Sequence, residues 1–225
     1  MKQILLYSGG MDSYIAWHYL GKPPTLYVNL GHRYSMKEMK AIRDTTPDTK
    51  ILYTLRMTEY EHPDAWIPMR NLFLVQLAAL EPDVDTIYLV CQKGEQSIPD
   101  RSPAFFVMTS RLLSEQMNRT IKVRNPFSDM TKSQMVKWYI NHVGDITSLK
   151  KTVGCFDRAN GHCGACASCF RRSIAFAANK IPLDNQNIKK WSGIHDYIDK
   201  LKAGQYEPER TKETLDVLKT WGWHV

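Results

Sequence analysis

The chain has no run of about 18 apolar residues, so no segment of it reads as a membrane span. It has no basic, apolar, small-residue leader either: Met1-Lys2 passes directly into an apolar run, and the expected location is the cytoplasm. Neither GxxxxGK[ST] nor GxGxxG occurs, which excludes the Walker and dinucleotide-fold phosphate loops. Internal repeats and low-complexity tracts are absent, which argues against solenoids and disordered arrays. Cysteine is scarce and unevenly used. Of five in 225 residues, four fall between Cys155 and Cys169, a metal-binding pattern rather than a spread disulfide framework.

What is present begins at the first strand. Gln3-Ile4-Leu5-Leu6-Tyr7 runs into Ser8-Gly9-Gly10-Met11-Asp12-Ser13 and then the apolar-periodic Tyr14 to Leu20, a strand, tight turn and helix. Adjacent glycines permit positive φ and close backbone approach, so amide N–H groups can converge on an anion at the helix N-terminus. The plainer reading is an ordinary strand–helix turn with Asp12 or Ser13 as N-cap. The hexapeptide resembles the SGGxDS pyrophosphate loop of N-type ATP pyrophosphatases, which activate substrates by adenylation. The net charge of +7, from 30 Lys+Arg against 23 Asp+Glu, suits anionic ligands, nucleotide or nucleic acid. The basic residues are scattered, and a solvated surface accounts for them equally well.

Further strands are expected at 25–30, 50–55, 86–91 and 120–124, with helices at 35–44, from Ile67-Pro68 to Leu80, 102–117 and 131–142. Pro68 falls in the first turn of its helix on this reading, and Thr131 with Gln134 has capping-box spacing. The irregular stretch 57–68 reads as a loop or lid. This alternation predicts an α/β fold, an open, mainly parallel five-stranded sheet with helices on both faces. Ligands of such sheets bind at the carboxyl ends of the strands. That rule gathers 8–13, Gly31 to Tyr34, 91–101 and Asn125 to Phe127 around one crevice.

Cys155, Cys163, Cys166 and Cys169 can close a tetrahedral site around Zn²⁺, and a closed Cys₄ set is structural rather than catalytic. Gly164 permits the tight turn between Cys163 and Cys166. An iron–sulfur cluster uses the same ligand number. His162 stands beside the set as a spare ligand. Arg171 and Arg172 follow on a helix and either face an anionic ligand or serve as surface cations. Residues 182–225 carry a helix at 209–220 and Trp221-Gly222-Trp223. The expected organisation is a nucleotide-binding domain over 1–150, a zinc element over 151–180 and a helical extension over 181–225 packed on the same domain.

The N-terminal loop and the Cys-x₇-Cys-Gly-x-Cys-x-x-Cys-x-x-Arg element together resemble the 7-cyano-7-deazaguanine synthase family (QueC). Four intervening stretches are similar to it in order. Gly31-His32-Arg33-Tyr34 with Glu38 resembles GQRH…E, and Ile67-Pro68-Met69-Arg70-Asn71 resembles PxRN. Pro99-Asp100-Arg101 with Phe105 resembles PDCRxEF, and Asn125-Pro126-Phe127 with Thr131-Lys132 resembles PL…KxE. The resemblance implies an adenine nucleotide alpha hydrolase-like fold and an ATP- and Mg²⁺-dependent ligase. Such an enzyme converts 7-carboxy-7-deazaguanine and ammonia to the amide and then the nitrile preQ0, through an acyl adenylate. It implies a catalytic set of Asp12, Ser13 and Lys132, with ATP held by Ser8, Gly9, Gly10, Asp12, Ser13 and Arg33. Substrate contacts fall to Arg70, Asn71, Asp100 and Arg101, with Asn71 as a helix cap the alternative. Nucleic acid is not required, and a homodimer is compatible.

His32 replaces the family's usual Gln, Glu38 is displaced by one position, and Cys91 to Ile98 is shorter and more charged than its counterpart. The reaction that stops at the amide therefore stays open. Two other readings also stay open: a sulfurtransferase of tRNA working through Cys91, and a basic zinc protein that binds nucleic acid without catalysis.

Overall fold

The computed structural model describes residues 2–54, 56–63, 66–157 and 161–225. Strands β1 (Lys2–Leu6), β2 (Thr25–Asn29), β3 (Lys50–Tyr53), β4 (Val84–Tyr88) and β5 (Lys122–Arg124) are all parallel, in the order β3-β2-β1-β4-β5. Leu55, expected in β3, and Asp64 and Ala65 of the expected lid lie outside the described residues. Helices α1 (Met11–Tyr19), α2 (Ser35–Thr45), α3 (Arg70–Ala79), α4 (Pro103–Gln116), α5 (Lys132–His142) and α6 (Ile146–Lys151) connect or follow the strands. After them come α7 (Ala167–Ala178), α8 (Ile194–Lys202) and α9 (Pro208–Thr220).

Both faces of the sheet are covered, and the strands show why. Successive side chains alternate, so Leu5, Tyr7 and Tyr27 pack with α1, α2, α5 and α7, while Ile4, Leu6, Leu26 and Val28 pack with α3 and α4. A third apolar cluster joins Cys155, Cys169 and Phe170 to Tyr197, Ile198 and Leu201 of α8 and Val217 and Leu218 of α9. The C-terminal extension thus leans on α7. Because β2 lies on one side of β1 and β4 on the other, the chain changes direction beside β1, and a crevice opens at the carboxyl end of that strand. Among the described residues no helix is long and apolar enough to cross a membrane.

The structure corrects two expectations and adds a helix. Helix α3 starts at Arg70 because Met69, its N-cap, takes a left-handed φ of 57°, so Pro68 stands before the helix rather than in its first turn. Strand β4 ends at Tyr88, not Cys91; the last bond toward β5 runs from Leu89 N–H to the Arg124 carbonyl at 3.0 Å, and Cys91 N–H instead reaches Asn125 Oδ1 at 3.1 Å. Helix α6 occupies a stretch to which the sequence pattern assigned no element, and α8 lies within the expected helical extension. The capping box at Thr131 and Gln134 is present as expected.

Candidate active site

Past β1 the chain turns through Ser8, Gly9 and Gly10 into α1. Gly9 has φ +69°, and a Cβ there would lie 2.8 Å from the Glu38 carbonyl oxygen. Val153 N–H donates to the Gly9 carbonyl at 2.9 Å and pins the turn from behind. Ser8 N–H donates to Ser13 Oγ at 3.3 Å, Gly10 N–H to Ser8 Oγ at 3.3 Å, and Ser13 Oγ–H to the Gly10 carbonyl at 3.0 Å. The loop is therefore preformed. Gly10 is the N-cap of α1 and no side chain among the described residues caps it, which disposes of Asp12 or Ser13 as cap and leaves the first amides of the helix available to an anion. Asp12, in that first turn, takes Lys132 Nζ at 2.5 Å on both oxygens. Lys132 is the first residue of α5, oriented by the capping box.

The loop opens on a cavity of about 280 Å³, lined by Ser8, Gly10, Asp12, Ser13 and Lys132 and also by Arg70, Asn71 and Arg101. On one side Glu38 Oε2 accepts Tyr27 O–H at 2.9 Å and meets His32 Nε2 at 3.0 Å, and the His32 ring sits edge-on to Tyr34 with centroids 4.2 Å apart. Burial first, and the Glu38 charge next, push the Tyr34 hydroxyl up to about 12, so it stays protonated. On the other side Asn71 Nδ2 donates to the Asp100 carbonyl at 3.2 Å and Arg70 Nε to Asn71 Oδ1 at 3.4 Å. Asn71 ties α3 to the loop after β4 and caps nothing.

The buried acid of this cavity is Glu95, which sequence reasoning did not single out. Its Oε1 accepts Arg101 Nη1 at 2.8 Å and Gln92 Nε2 at 3.1 Å, with Arg171 Nη1 at 3.6 Å; its Oε2 accepts Gln92 N–H at 3.3 Å. Burial works to raise its pKa, but the charges of Arg101 and Arg171 outweigh it and hold the carboxyl at about 2.

Of the expected site residues, Gly9, Arg33 and Asp100 do not line the cavity, nor does the stretch Asn125 to Phe127. Gly9 lies behind the loop. Arg33 turns away to Glu61 Oε1 at 3.1 Å and the Pro63 carbonyl at 2.7 Å. Asp100 contributes its carbonyl to Asn71, its carboxylate lying 3.9 Å from Arg101 Nε. The Asn125 to Phe127 stretch is used internally: Asn125 Oδ1 accepts Cys91 and Phe127 N–H, and Phe127 is fully buried.

Behind the cavity the sulfurs of Cys155, Cys163, Cys166 and Cys169 all lie within 4.8 Å of one another, with Cys163 and Cys169 at 3.9 Å. Sulfurs at about 2.3 Å from a tetrahedral zinc stand about 3.8 Å apart, so the set fits such an ion. Cys155 Sγ accepts Asp157 and Cys163 N–H, both at 3.4 Å. Gly164, at φ +68°, makes the turn between the middle ligands, and Asn185 Nδ2 braces it through the His162 and Cys163 carbonyls at 3.2 Å. His162 directs Nε2 to the Thr152 carbonyl at 3.2 Å and keeps Nδ1 3.8 Å from Cys169 Sγ, a neighbour of the set. Arg171 and Arg172 both line the cavity, and Arg172 is in addition bonded to Asp184, Thr152 and the Leu149 carbonyl. Cys91 belongs to the apolar cluster beneath α3 and α4, where burial pushes its thiol up to about 12.

The family model described as queuosine biosynthesis protein QueC matches residues 36–180. The phosphate loop precedes that stretch. Three similar curated proteins bear the name 7-cyano-7-deazaguanine synthase, and that of Nitratiruptor is 27% identical over 219 residues, covering 81% of this chain and 98% of its own. That of Methanocaldococcus jannaschii is 26% identical over 220 residues, covering 78% and 94%. That of Sulfolobus acidocaldarius is 28% identical over 216 residues, covering 79% of this chain, which spans about half of that longer protein (46%). With most of the chain matched, an all-parallel sheet of five strands and a cysteine set able to hold a metal, the chain belongs to the QueC family of queuosine biosynthesis proteins.

Proposed function

We propose that the chain is an ATP-dependent carbon–nitrogen ligase that takes 7-carboxy-7-deazaguanine and ammonia to the amide and then to the nitrile 7-cyano-7-deazaguanine, working in the cytoplasm on small molecules. The observation that carries this reading is one cavity holding both a preformed anion loop, Ser8 to Ser13 at the N-terminus of α1, and a wall of Arg70, Arg101, Lys132 and Arg171. A carboxylate is a poor electrophile until one oxygen becomes a leaving group. Attack of a carboxylate oxygen on the α-phosphorus of ATP forms a C–O–P link, and pyrophosphate departs toward the α1 amides and the Ser8 and Ser13 hydroxyls. Lys132 neutralises phosphate charge, and Asp12, its partner, orders the loop. A divalent cation held at Asp12 would add charge neutralisation for the departing pyrophosphate. Ammonia then attacks the acyl carbon, the C–O bond breaks and AMP leaves with that oxygen. A second activation at the amide oxygen, followed by loss of AMP and the remaining N–H protons, yields the nitrile.

The sulfurtransferase alternative needs an accessible thiolate, and Cys91, deep in an apolar cluster with its thiol pushed up to about 12, is unsuited to that task. The test is to incubate the metal-loaded protein with the acid, Mg-ATP and ammonium and follow the base by mass spectrometry. Nitrile from the wild type and none from Asp12→Ala supports the reading. Amide alone corrects it to the first half-reaction, and an unchanged base with ATP bound overturns it.

A further inference from the structure

Two adjacent arginines on α7 both line the cavity but differ in their partners. Arg172 is fully employed: Nε donates to Asp184 at 2.6 Å, Nη1 to Thr152 Oγ1 at 2.8 Å and Nη2 to the Leu149 carbonyl at 3.2 Å, over the Phe176 ring. Arg171 points into the cavity. Its Nη1 is 3.6 Å from Glu95 Oε1, beyond a good hydrogen bond, and its Nε is buried without a hydrogen-bond partner among the described residues. A buried N–H left unpaired is unfavourable, and here it lies where a ligand would enter. Glu95 does not satisfy Arg171: its Oε1 is already bonded to Arg101 and Gln92, whereas Lys132 has its own partner in Asp12.

We propose that Arg171, with Arg101 held beside it by Glu95, receives the carboxylate of the acid to be adenylated. This rests on the ligase reading above. The planar guanidinium fork suits a carboxylate and would satisfy the orphan Nε. The place is also right for the chemistry. Lys132 lines the same cavity as Arg171 and bonds Asp12 of the phosphate loop, so cationic side chains reach from Arg171 to the loop. A carboxylate on Arg171 would therefore share the cavity with a nucleotide bound at the Ser8 to Ser13 loop. Arg171 is a substrate-contacting residue on this account, and Glu95 is a positioning residue.

The test compares wild type with Arg171→Gln and Arg171→Lys in the full chain, by calorimetric titration with 7-carboxy-7-deazaguanine, with the neutral 7-amido-7-deazaguanine and with ATP. Arg171→Gln should weaken the acid roughly 10- to 100-fold, as expected for a lost charge-assisted pair. Arg171→Lys, which keeps the charge but not the fork, should fall between. Affinity for the amide and for ATP should hold, with an unchanged melting temperature. Equal weakening of acid and amide would overturn the assignment, since Arg171 would then merely shape the wall. Weakening confined to ATP would make the anion a phosphate and overturn it too. If the wild type binds ATP but neither base, the ligase reading fails and takes this proposal with it.

Discussion

Replacing Gly9 and Gly10 one at a time by alanine separates what the loop costs the fold from what it gives the ligand. At Gly9 the backbone sits at φ +69°, where an L side chain costs about 1–2 kcal/mol. The new Cβ would also lie 2.8 Å from the Glu38 carbonyl and 3.2 Å from Ala41 Cβ, so the start of α2 must shift; overpacking of this kind adds about 1–3 kcal/mol. Gly9→Ala should therefore lose roughly 2–5 kcal/mol, or about 5–15 °C in melting temperature for a chain of this size. At Gly10, φ −78° and ψ 159° suit any residue, and the nearest atom to a Cβ is Ser8 Oγ at 3.1 Å. Gly10→Ala should unfold in urea within about 1 kcal/mol of wild type, yet lose ATP affinity, because its methyl group faces the cavity. Unfolding curves and nucleotide titration on both variants decide the matter. A Gly9→Ala protein as stable as wild type, or a Gly10→Ala protein that binds ATP normally, would refute the loop geometry argued here.

Three other outcomes are expected. Glu95 is held at about 2 against an ordinary value of 4.5, so its contribution, about 3 kcal/mol, is fully present above pH 4.5 and vanishes as pH falls through about 2; the stability gap between wild type and Glu95→Gln should close over that range, and a pH-independent gap would contradict it. Removing the metal with a chelator should expose four thiols to a colorimetric reagent and loosen the apolar cluster of α7, α8 and α9, seen as a loss of helical signal and of melting temperature. Cys91→Ser should keep nitrile formation within about threefold of wild type while losing about 1–3 kcal/mol of stability to a buried hydroxyl; abolished turnover with intact folding would revive the sulfurtransferase reading.

The parts of this protein that are legible in its sequence are those whose signal is local. The alternation of apolar runs with amphipathic stretches marks the sheet, Ser8-Gly9-Gly10 marks its turn, and the spacing of four cysteines marks a metal set. The cavity wall is another matter. Glu95 and Arg171 are 76 residues apart and meet through tertiary packing, so no window of sequence joins them. Nor does a pattern distinguish Arg171 from Arg172; one step along a helix turns a side chain by about 100°, which gives Arg172 a full set of partners around Asp184 and leaves Arg171 Nε without one among the described residues. Asn125 fits the crevice by topology, but its oxygen is taken by Cys91 and Phe127 N–H groups. The start of α3 had no local marker, since a methionine in the left-handed region is rare. Helix α8 is the opposite case: Ile194, Tyr197, Ile198 and Leu201 carry a full helical stripe that the composition of the surrounding stretch conceals.

The central claim is that ATP adenylates the substrate's own carboxylate at the Ser8 to Ser13 loop. The direct measurement is oxygen-18 transfer: 7-carboxy-7-deazaguanine labelled in its carboxyl group is turned over with Mg-ATP and ammonium, and the nucleotide products are weighed by mass spectrometry. One labelled oxygen should appear in AMP from the first step, with released pyrophosphate unlabelled and no signal from Asp12→Ala. Unlabelled AMP, or ADP and labelled phosphate in its place, would contradict it.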